Sequence, residues 1–235
     1  MKSFENPNET FQTNALGTLN LFEAIRNSNT DPVIQLSSSS EVYGKVSKDQ
    51  IPIKENVLFF PTNPYGISKL AADRLGFQYF ETYGLKIVIT RAFPHTGPRR
   101  NSIFAESSFA KQLMEIKNGK ENKIIVGNLD VIRTILDVRD MVNAYWISTQ
   151  KCSFGEAYNI GSETPLSMKY LLDKLIELSG VDVSIQEDPK LIRPSDTSSH
   201  IPNIEKFKLQ TNWKPEILLN ETLSDLLNYW KKQIS

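Results

Sequence analysis

Short apolar runs alternate with helical patterns in the first half of the chain, and this alternation constrains the fold most. The run DPVIQLSSSS (residues 31–40) has a Pro-led apolar part that ends in small polar residues, and LKIVITRAF (residues 85–93) is mainly apolar. Runs of this kind are typical of strands buried on both faces of a parallel sheet. Each follows a helical pattern, at residues 8–27 and at about residues 64–83, the latter stopped by a glycine. The order therefore predicts βα units on a parallel sheet.

The second half of the chain has shorter strand patterns between helices. Helical patterns cover residues 102–119, 136–150, 168–180 and 219–233, and strand patterns cover residues 123–129, 156–161 and 181–186. No Gly/Ser linker separates this part from the sheet. We therefore expect a small lobe built mainly from later residues and interleaved with the sheet domain. The predicted division is residues 1–165 and 166–235.

Composition excludes several classes of function. The chain has 27 basic and 27 acidic residues, so nothing indicates an electrostatic attraction to nucleic acid or to a membrane surface. A single cysteine, Cys152, cannot form an internal disulfide, and two histidines without a Cys/His cluster argue against a structural zinc site. The start MKSFENPNET lacks the apolar core of a signal peptide, and no apolar run is long enough to span a bilayer. A cytoplasmic protein without a metal is expected.

Tyr65 and Lys69 lie four residues apart in the segment NPYGISKL. On a helix this spacing places both side chains on one face. The pattern Tyr-x-x-x-Lys recurs by chance, so the pair is compatible with a half-buried tyrosine beside a solvated lysine. It is also compatible with an active site, because a nearby ammonium favours the phenolate form of a tyrosine, whose ordinary pKa is about 10.

Polar groups at the end of the first predicted strand favour the active-site interpretation. Ser39, Ser40 and Glu41 follow the apolar residues of that strand at its carboxyl end, where open α/β sheets bind ligands. Serine, tyrosine and lysine together suit proton transfer to or from a sugar or alcohol oxygen during hydride transfer. The alternative for Glu41 is a surface residue in a turn.

An ordered series of motifs runs along nearly the whole chain: TNALGTLNLFEAIR, SSSSEVYG, NPYGISKLAADRL, TRAFPHTGPRR, VGNLDVIRTILDVRDMVNAYW, YNIGS and RPSDTSSHIPNIEKFKLQTNWKP. This series resembles the extended short-chain dehydrogenase/reductases that act on nucleotide sugars. Through TGPRR, VGNLDVIR and RPSD it is most similar to GDP-mannose 4,6-dehydratases and the related GDP-4-keto-6-deoxymannose reductases. The resemblance implies an α/β fold with a Rossmann-type sheet, incomplete at its start, and a small C-terminal α/β substrate lobe.

The resemblance also implies catalytic roles. Tyr65 would be the acid/base at the C4 oxygen of the hexose, and Lys69 would hold the nicotinamide ribose and lower the pKa of Tyr65. Ser39 would donate a hydrogen bond to the C4 oxygen. Glu41 matches the glutamate that removes the C5 proton in dehydratases. Related epimerases usually lack a carboxylate there, so Glu41 favours a dehydratase or a reductase.

For the cofactor, NADP or NAD, the resemblance implies contacts with Tyr65 and Lys69 and with three further residues: Asn14, Ser37 and His95. Asn14 is alternatively an ordinary polar helix residue, and His95 a hydrogen-bonded loop histidine.

For the nucleotide-sugar substrate, the resemblance implies contacts with Pro94, Val126, Asn128, Arg133 and Arg193. The two arginines are candidates for the diphosphate, because a guanidinium can bind it in a bidentate manner. Either arginine is alternatively a surface residue whose stem covers apolar neighbours. Val126 and Asn128 are expected near the base.

Two departures from the family pattern affect these expectations. Family members begin with a strand, a Gly-rich turn and a helix that bind the cofactor pyrophosphate, and this sequence contains no such turn. About one hundred residues of the cofactor domain are therefore expected to be missing. The second departure is Pro94, which stands where the family has an asparagine and supplies neither an amide nor a backbone N–H.

Several interpretations of function remain open at this point. The first is the carboxyl-terminal part of a GDP-mannose 4,6-dehydratase, with little activity in isolation, and the runner-up is the GDP-4-keto-6-deoxymannose reductase. A non-catalytic nucleotide-sugar-binding remnant and an enzyme that uses another subunit's cofactor half are further alternatives. The resemblance also implies a homodimer through a four-helix bundle that includes the Tyr65 helix.

Overall fold

The computed structural model describes residues 2–191 and 200–234. The helices are α1 (Lys2–Glu5), α2 (Pro7–Phe11), α3 (Gly17–Arg26), α4 (Pro64–Tyr83), α5 (Ala105–Lys117), α6 (Val138–Lys151), α7 (Met168–Ser179), α8 (Glu205–Thr211) and α9 (Leu219–Ile234). The strands are β1 (Ile34–Ser39), β2 (Ile87–Ala92), β3 (His95–Thr96), β4 (Lys123–Val126), β5 (Ile132–Thr134), β6 (Leu136–Asp137), β7 (Ala157–Ile160), β8 (Pro165–Ser167) and β9 (Ser184–Glu187).

The chain folds into two compact units, each assembled from segments that are separate in sequence. Within the described ranges, the first unit consists of residues 2–93, 141–163 and 200–214, and the second of residues 94–140, 164–191 and 215–234. The functional division into residues 1–165 and 166–235, with interleaved segments, stays a prediction.

A parallel sheet with the strand order β1-β2-β7 forms the centre of the first unit. Ile34 pairs with Ile87 and Ser39 with Ala92, so β1 and β2 run side by side over their whole length. β2 is buried at five consecutive positions from its start, as expected of a central strand covered on both faces. The prediction of parallel βα units is confirmed.

Helix α4 covers this sheet and begins and ends where the sequence predicts. Asn63 caps its start through a side-chain oxygen that accepts the N–H of Gly66, and Pro64 occupies the first turn, where no N–H is needed. Gly84 ends the helix in the left-handed conformation with φ 70°. Gly76 allows the close approach to β1, because a Cβ there would lie 2.6 Å from Leu36 Cδ2.

Two apolar clusters hold the first unit together. One joins α3, α4 and the sheet. The other packs side chains of residues 42–60 against Phe93, which follows β2. In the first cluster the rings of Phe22 and Tyr79 pack at a tilt of 46°, with centroids 5.2 Å apart. Buried members of the two clusters are Phe22, Leu36, Tyr79, Ile87, Ile89, Val42, Tyr43, Val46, Ile53 and Phe93.

A buried ion pair crosses from α4 to β2 inside the first unit. Arg91 donates to both carboxylate oxygens of Asp73, at 2.9 and 3.1 Å, and the two residues are 2% and 0% exposed. Ser38 donates to the same carboxylate at 2.7 Å. The remaining guanidinium nitrogen donates to the Tyr43 hydroxyl and to the carbonyl of Glu55. The end of β1 is thereby fixed against α4 and β2.

The second unit has three two-stranded pairings and a helical layer. β3 pairs with β6 and β4 with β9 in parallel, whereas β5 and β8 are antiparallel. Helices α5, α7 and α9 pack on one another around one apolar core. Ser167 caps α7 by accepting the N–H of Tyr170. Buried core members include Phe109, Leu113, Ile124, Val126, Leu171, Leu175, Leu223 and Leu226.

Candidate active site

The end of β1 presents three consecutive serines to three different environments. The backbone carbonyl of Ser37 accepts a hydrogen bond from Lys69 Nζ at 2.8 Å. The Ser38 hydroxyl points to the opposite face and binds Asp73. Ser39 lies on the same face as Ser37, since side chains alternate along a strand, and its hydroxyl accepts the N–H of Glu41 at 3.2 Å.

Tyr65 and Lys69 occupy the first turns of α4 on one face, as their spacing predicts. Lys69 Nζ lies 5.9 Å from the centroid of the Tyr65 ring. Burial lowers the pKa of Lys69 from its ordinary value. The ammonium therefore lies between a backbone carbonyl of β1 and the phenol ring, and the structure brings Ser37, Ser39, Tyr65 and Lys69 together in one unit.

Asn14 supports the helix that carries Tyr65 and Lys69. It lies in a π-helical turn, Gln12–Leu16, between α2 and α3. Such turns are rare in proteins, and those that occur are often found at functional sites. Its side-chain amide donates to the Ser68 hydroxyl at 2.9 Å, and that hydroxyl donates to the backbone carbonyl of Tyr65 at 2.8 Å. The predicted cofactor residue therefore contacts α4 at a position between Tyr65 and Lys69.

Glu41 is held beside Ser39 by a residue that the sequence analysis missed. The side-chain amide of Asn63 donates to Glu41 Oε2 at 2.7 Å. Asn63 directly precedes Pro64, and an asparagine in front of a proline-led helix is itself a cap signal. That signal predicts the helix start but not the contact with Glu41.

A second tyrosine, Tyr145 on α6, also lies at this site and was not predicted. Its hydroxyl hydrogen-bonds the side chain of Ser37. Burial raises the pKa of Tyr145 to about 12; the bond to Ser37 opposes the shift and the negative charge of an ionised Tyr65 adds to it. Tyr145 therefore stays a neutral phenol at physiological pH, beside the tyrosine expected to exchange the proton.

The other predicted site residues lie in the second unit. The carbonyl of Pro94 accepts the N–H of Leu136 at 3.1 Å, next to His95 in β3. Val126 is a buried member of the core, and Asn128 is exposed with its side-chain oxygen accepting the N–H of Asp130.

Two arginines were predicted for the diphosphate. Arg133 lies in β5 and donates to the backbone carbonyl of Ile132 at 2.9 Å. Arg193 falls outside the described residues. The part of the chain that the structure describes holds no group of three or more His, Cys, Asp or Glu side chains suited to a metal ion. No helix among the described residues is long and apolar enough to cross a membrane.

The first unit thus combines a hydroxyl, a phenol, an ammonium and a carboxylate at the carboxyl end of a parallel strand. Such a set can exchange a proton with a substrate oxygen through Tyr65, hold that oxygen with Ser39 and stabilise the phenolate through Lys69. A carboxylate beside it can in addition accept a proton from a carbon next to a carbonyl group.

Comparison with known proteins identifies relatives along the whole chain. A family model described as GDP-mannose 4,6 dehydratase matches residues 1–226. The chain is 33% identical to the GDP-6-deoxy-D-mannose reductase of Pseudomonas aeruginosa, over 99% of this chain and 77% of that protein. It is 29% identical to a GDP-mannose 4,6-dehydratase of Vibrio cholerae, over 96% of this chain and 68% of that protein.

Solved structures show the same relationship. The structure of RMD from Pseudomonas aeruginosa complexed with NADPH superposes with a TM-score of 0.94 at 33% identity, covering 99% of this chain and 77% of that one. A UDP-glucose 4-epimerase from Thermotoga maritima with UDP-glucose gives 0.89 at 26% identity, over 99% and 74% of the two chains. The Rossmann-type fold expected from the sequence is confirmed.

Proposed function

The chain belongs to the GDP-mannose 4,6-dehydratase family, and from that premise we propose that it is a reductase of a GDP-linked 4-keto-6-deoxyhexose. The observation that carries the proposal is the set of Ser39, Tyr65 and Lys69 at the end of β1. Of the two relatives compared above, the one with higher identity is a reductase, and that similarity extends over nearly the whole chain. The sequence alone favours the dehydratase, with the reductase as the runner-up.

In this proposal Tyr65 gives its proton to the C4 oxygen of the sugar. Ser39 donates a hydrogen bond to the same oxygen, so negative charge that develops on it is stabilised from two directions. Lys69 stabilises the phenolate that remains on Tyr65 after the transfer. The neutral Tyr145 phenol lies near Ser37 and Tyr65.

The residues at the end of β1 fit a nicotinamide cofactor. The Lys69 ammonium has three N–H donors and gives one of them to the Ser37 carbonyl, so it can also donate to ribose hydroxyls. We propose that Tyr65, Lys69, Ser37 and Asn14 form the nicotinamide side of a site for NADP or NAD. A contact of His95 with the cofactor stays a prediction. When bound, the reduced cofactor supplies the hydride for C4.

For the substrate we propose that Arg133 and Arg193 bind the diphosphate of a GDP-sugar, since a guanidinium matches its oxygens in a bidentate manner. Asn128 is exposed and can contact the guanine base. Val126 contributes through the β4 backbone, because its side chain lies in the core. Pro94 offers a carbonyl but no donor to the sugar.

A GDP-mannose 4,6-dehydratase is the second candidate, and the position of Glu41 favours it. A dehydratase needs a base for the C5 proton after oxidation at C4, and the Glu41 carboxylate lies two residues from Ser39, held by Asn63. A reductase removes no proton from C5 of the sugar, so it needs no base at the position of Glu41.

An assay with two substrates separates the candidates. With GDP-4-keto-6-deoxymannose and NADPH we expect oxidation of NADPH and formation of GDP-6-deoxyhexose; with GDP-mannose and NADP we expect no 4-keto product. Formation of the 4-keto product would favour the dehydratase. Absence of both reactions, with GDP binding but no NADPH binding by calorimetry, would favour a non-catalytic binding protein and overturn the reductase proposal.

We also propose a homodimer formed through the helices of the first unit. An open groove of about 450 Å³ lies on α4 and the preceding helical turn, lined by apolar groups of Phe11, Ala15, Leu16, Ala71 and Leu75. Exposed apolar surface of this kind is typical of protein–protein contacts. Light scattering is expected to give twice the monomer mass of 26.7 kDa. Substitution of the half-exposed Leu16 by Asp should give the monomer mass, and a monomeric parent protein would contradict the proposal.

A further inference from the structure

Asn63 makes two hydrogen bonds that point in different directions. Its side-chain oxygen accepts the N–H of Gly66 in the first turn of α4 at 2.7 Å. Its side-chain nitrogen donates to Glu41 Oε2, also at 2.7 Å. The first bond alone is an ordinary helix cap, which serine or aspartate can also provide. The second bond needs a donor. Among the common capping residues, asparagine is the one that carries an NH₂ donor beside its acceptor oxygen.

The two segments that Asn63 joins are also in close backbone contact. A Cβ on Gly66 would lie 2.7 Å from the backbone oxygen of Glu41, so the glycine is required for the approach. Further along, the backbone of Phe60 exchanges hydrogen bonds with Tyr43 and Lys45, each at 3.1 Å. The contacts therefore join two segments, residues 41–45 and residues 60–66, and we call this contact region the junction.

The junction continues to Ser39. The N–H of Glu41 donates to the Ser39 hydroxyl at 3.2 Å, while the carboxylate of the same residue is held by Asn63. Tyr65 is the second residue of the helix that Asn63 caps. A single side chain therefore connects the start of the tyrosine helix to the segment that orients the serine.

We propose that Asn63 is a positioning residue that fixes Glu41, and through it the Ser39 hydroxyl, relative to Tyr65. The consequence for turnover rests on the proposed function. Ser39 and Tyr65 must reach the same substrate oxygen, and a small error in such geometry costs more in the transition state than in substrate binding. Asn63 therefore acts on kcat and leaves KM for the sugar nearly unchanged.

The proposal is tested first by a double-mutant cycle on stability, which needs no activity. Asn63→Ser keeps a capping oxygen and removes the amide N–H that donates to Glu41, because the shorter serine side chain lacks that nitrogen, and Glu41→Ala removes the acceptor. We expect the two changes to be non-additive by about three- to thirtyfold in the unfolding equilibrium constant, because the bond involves a charged group. Additive effects would overturn the inference, whatever the activity of the protein.

Kinetics then separate positioning from capping. Asn63→Ser is expected to lower kcat for reduction of the 4-keto sugar about tenfold, with KM changed by no more than about twofold. Ser167→Ala removes a comparable cap, that of α7, and is the matched control: it should lower the melting temperature and leave kcat unchanged.

The two proposals fail in different ways. A parent protein that reduces the sugar, together with an Asn63→Ser variant of equal kcat, would overturn the positioning role and leave the reductase proposal intact. A parent protein without reductase activity would overturn the proposed function, and the stability cycle would still decide whether Asn63 holds Glu41.

Discussion

Replacement of Tyr65 by Phe is expected to reduce kcat by roughly two to four orders of magnitude, since a general acid contributes about that much to a proton-transfer step. The variant keeps the ring that lies 5.9 Å from Lys69 Nζ and loses only the hydroxyl. Substrate binding and the melting temperature should change little. The measurement is steady-state oxidation of NADPH with the 4-keto sugar, together with a thermal denaturation curve.

The matched control for this substitution is Tyr170→Phe. Tyr170 is half-exposed on α7 of the second unit and belongs to no proposed site, so the variant should keep the parent kcat. A Tyr65→Phe protein as active as its parent would rule out Tyr65 as the acid. Equal losses in both variants would instead point to a general effect of the assay or of folding.

Replacement of Asp73 by Ala is expected to lower the free energy of unfolding by about 3 to 5 kcal/mol, because it leaves the buried guanidinium of Arg91 without a counter-charge. Asp73 is fully buried and binds Arg91 through both oxygens. For a chain of this length the loss corresponds to a melting temperature lower by roughly 6 to 20 °C. Chemical denaturation and calorimetry measure both quantities.

The control is Asp31→Ala, which removes an acidic residue of a surface ion pair with Lys86. The Asp31 side chain is 73% exposed, and exposed pairs contribute about 0 to 1 kcal/mol. A loss at Asp73 no larger than the loss at Asp31 would contradict the role of the buried pair.

The same pair predicts how stability changes in acid. Burial by itself would raise the pKa of Asp73, but hydrogen bonds and charge from Arg91, with help from Ser38 and Arg74, outweigh it and lower the pKa. The pKa of Asp73 is therefore lower in the folded state than in the unfolded state, where it is near 4. Ionised Asp73 stabilises the fold at pH values above the unfolded-state pKa, and this stabilisation is lost as pH falls through the folded-state pKa. The free energy of unfolding should therefore decrease below about pH 4, less steeply in Asp73→Asn than in the parent protein.

Local patterns were sufficient to predict the elements that carry the site. Helix α4 was placed at residues 64–83 because Pro64 and Gly84 mark its ends, and β1 and β2 were predicted from apolar runs between polar residues. The order of helix and strand then implied a parallel sheet, and the four-residue spacing placed Tyr65 and Lys69 on one face. These features depend on neighbours in sequence, which propensity and periodicity describe well.

Contacts between distant segments were not predictable in the same way. Tyr145 reaches Ser37 across 108 positions, and Asn63 reaches Glu41 across 22. Arg91 and Asp73 read as ordinary charged residues of a strand and a helix, yet both are buried. Nothing in the local pattern of any of these residues identifies its partner.

Backbone periodicity, turn residues and motif spacing are local properties, so the amino-acid sequence alone was enough to predict the kind of fold and the order of its elements. Which polar side chains share a hydrogen bond depends on the tertiary structure. A buried polar group must find a partner, and the partner is whichever group the packing of distant segments brings within about 3 Å. The contacts of Glu41 with Asn63 and of Tyr145 with Ser37 follow from that packing.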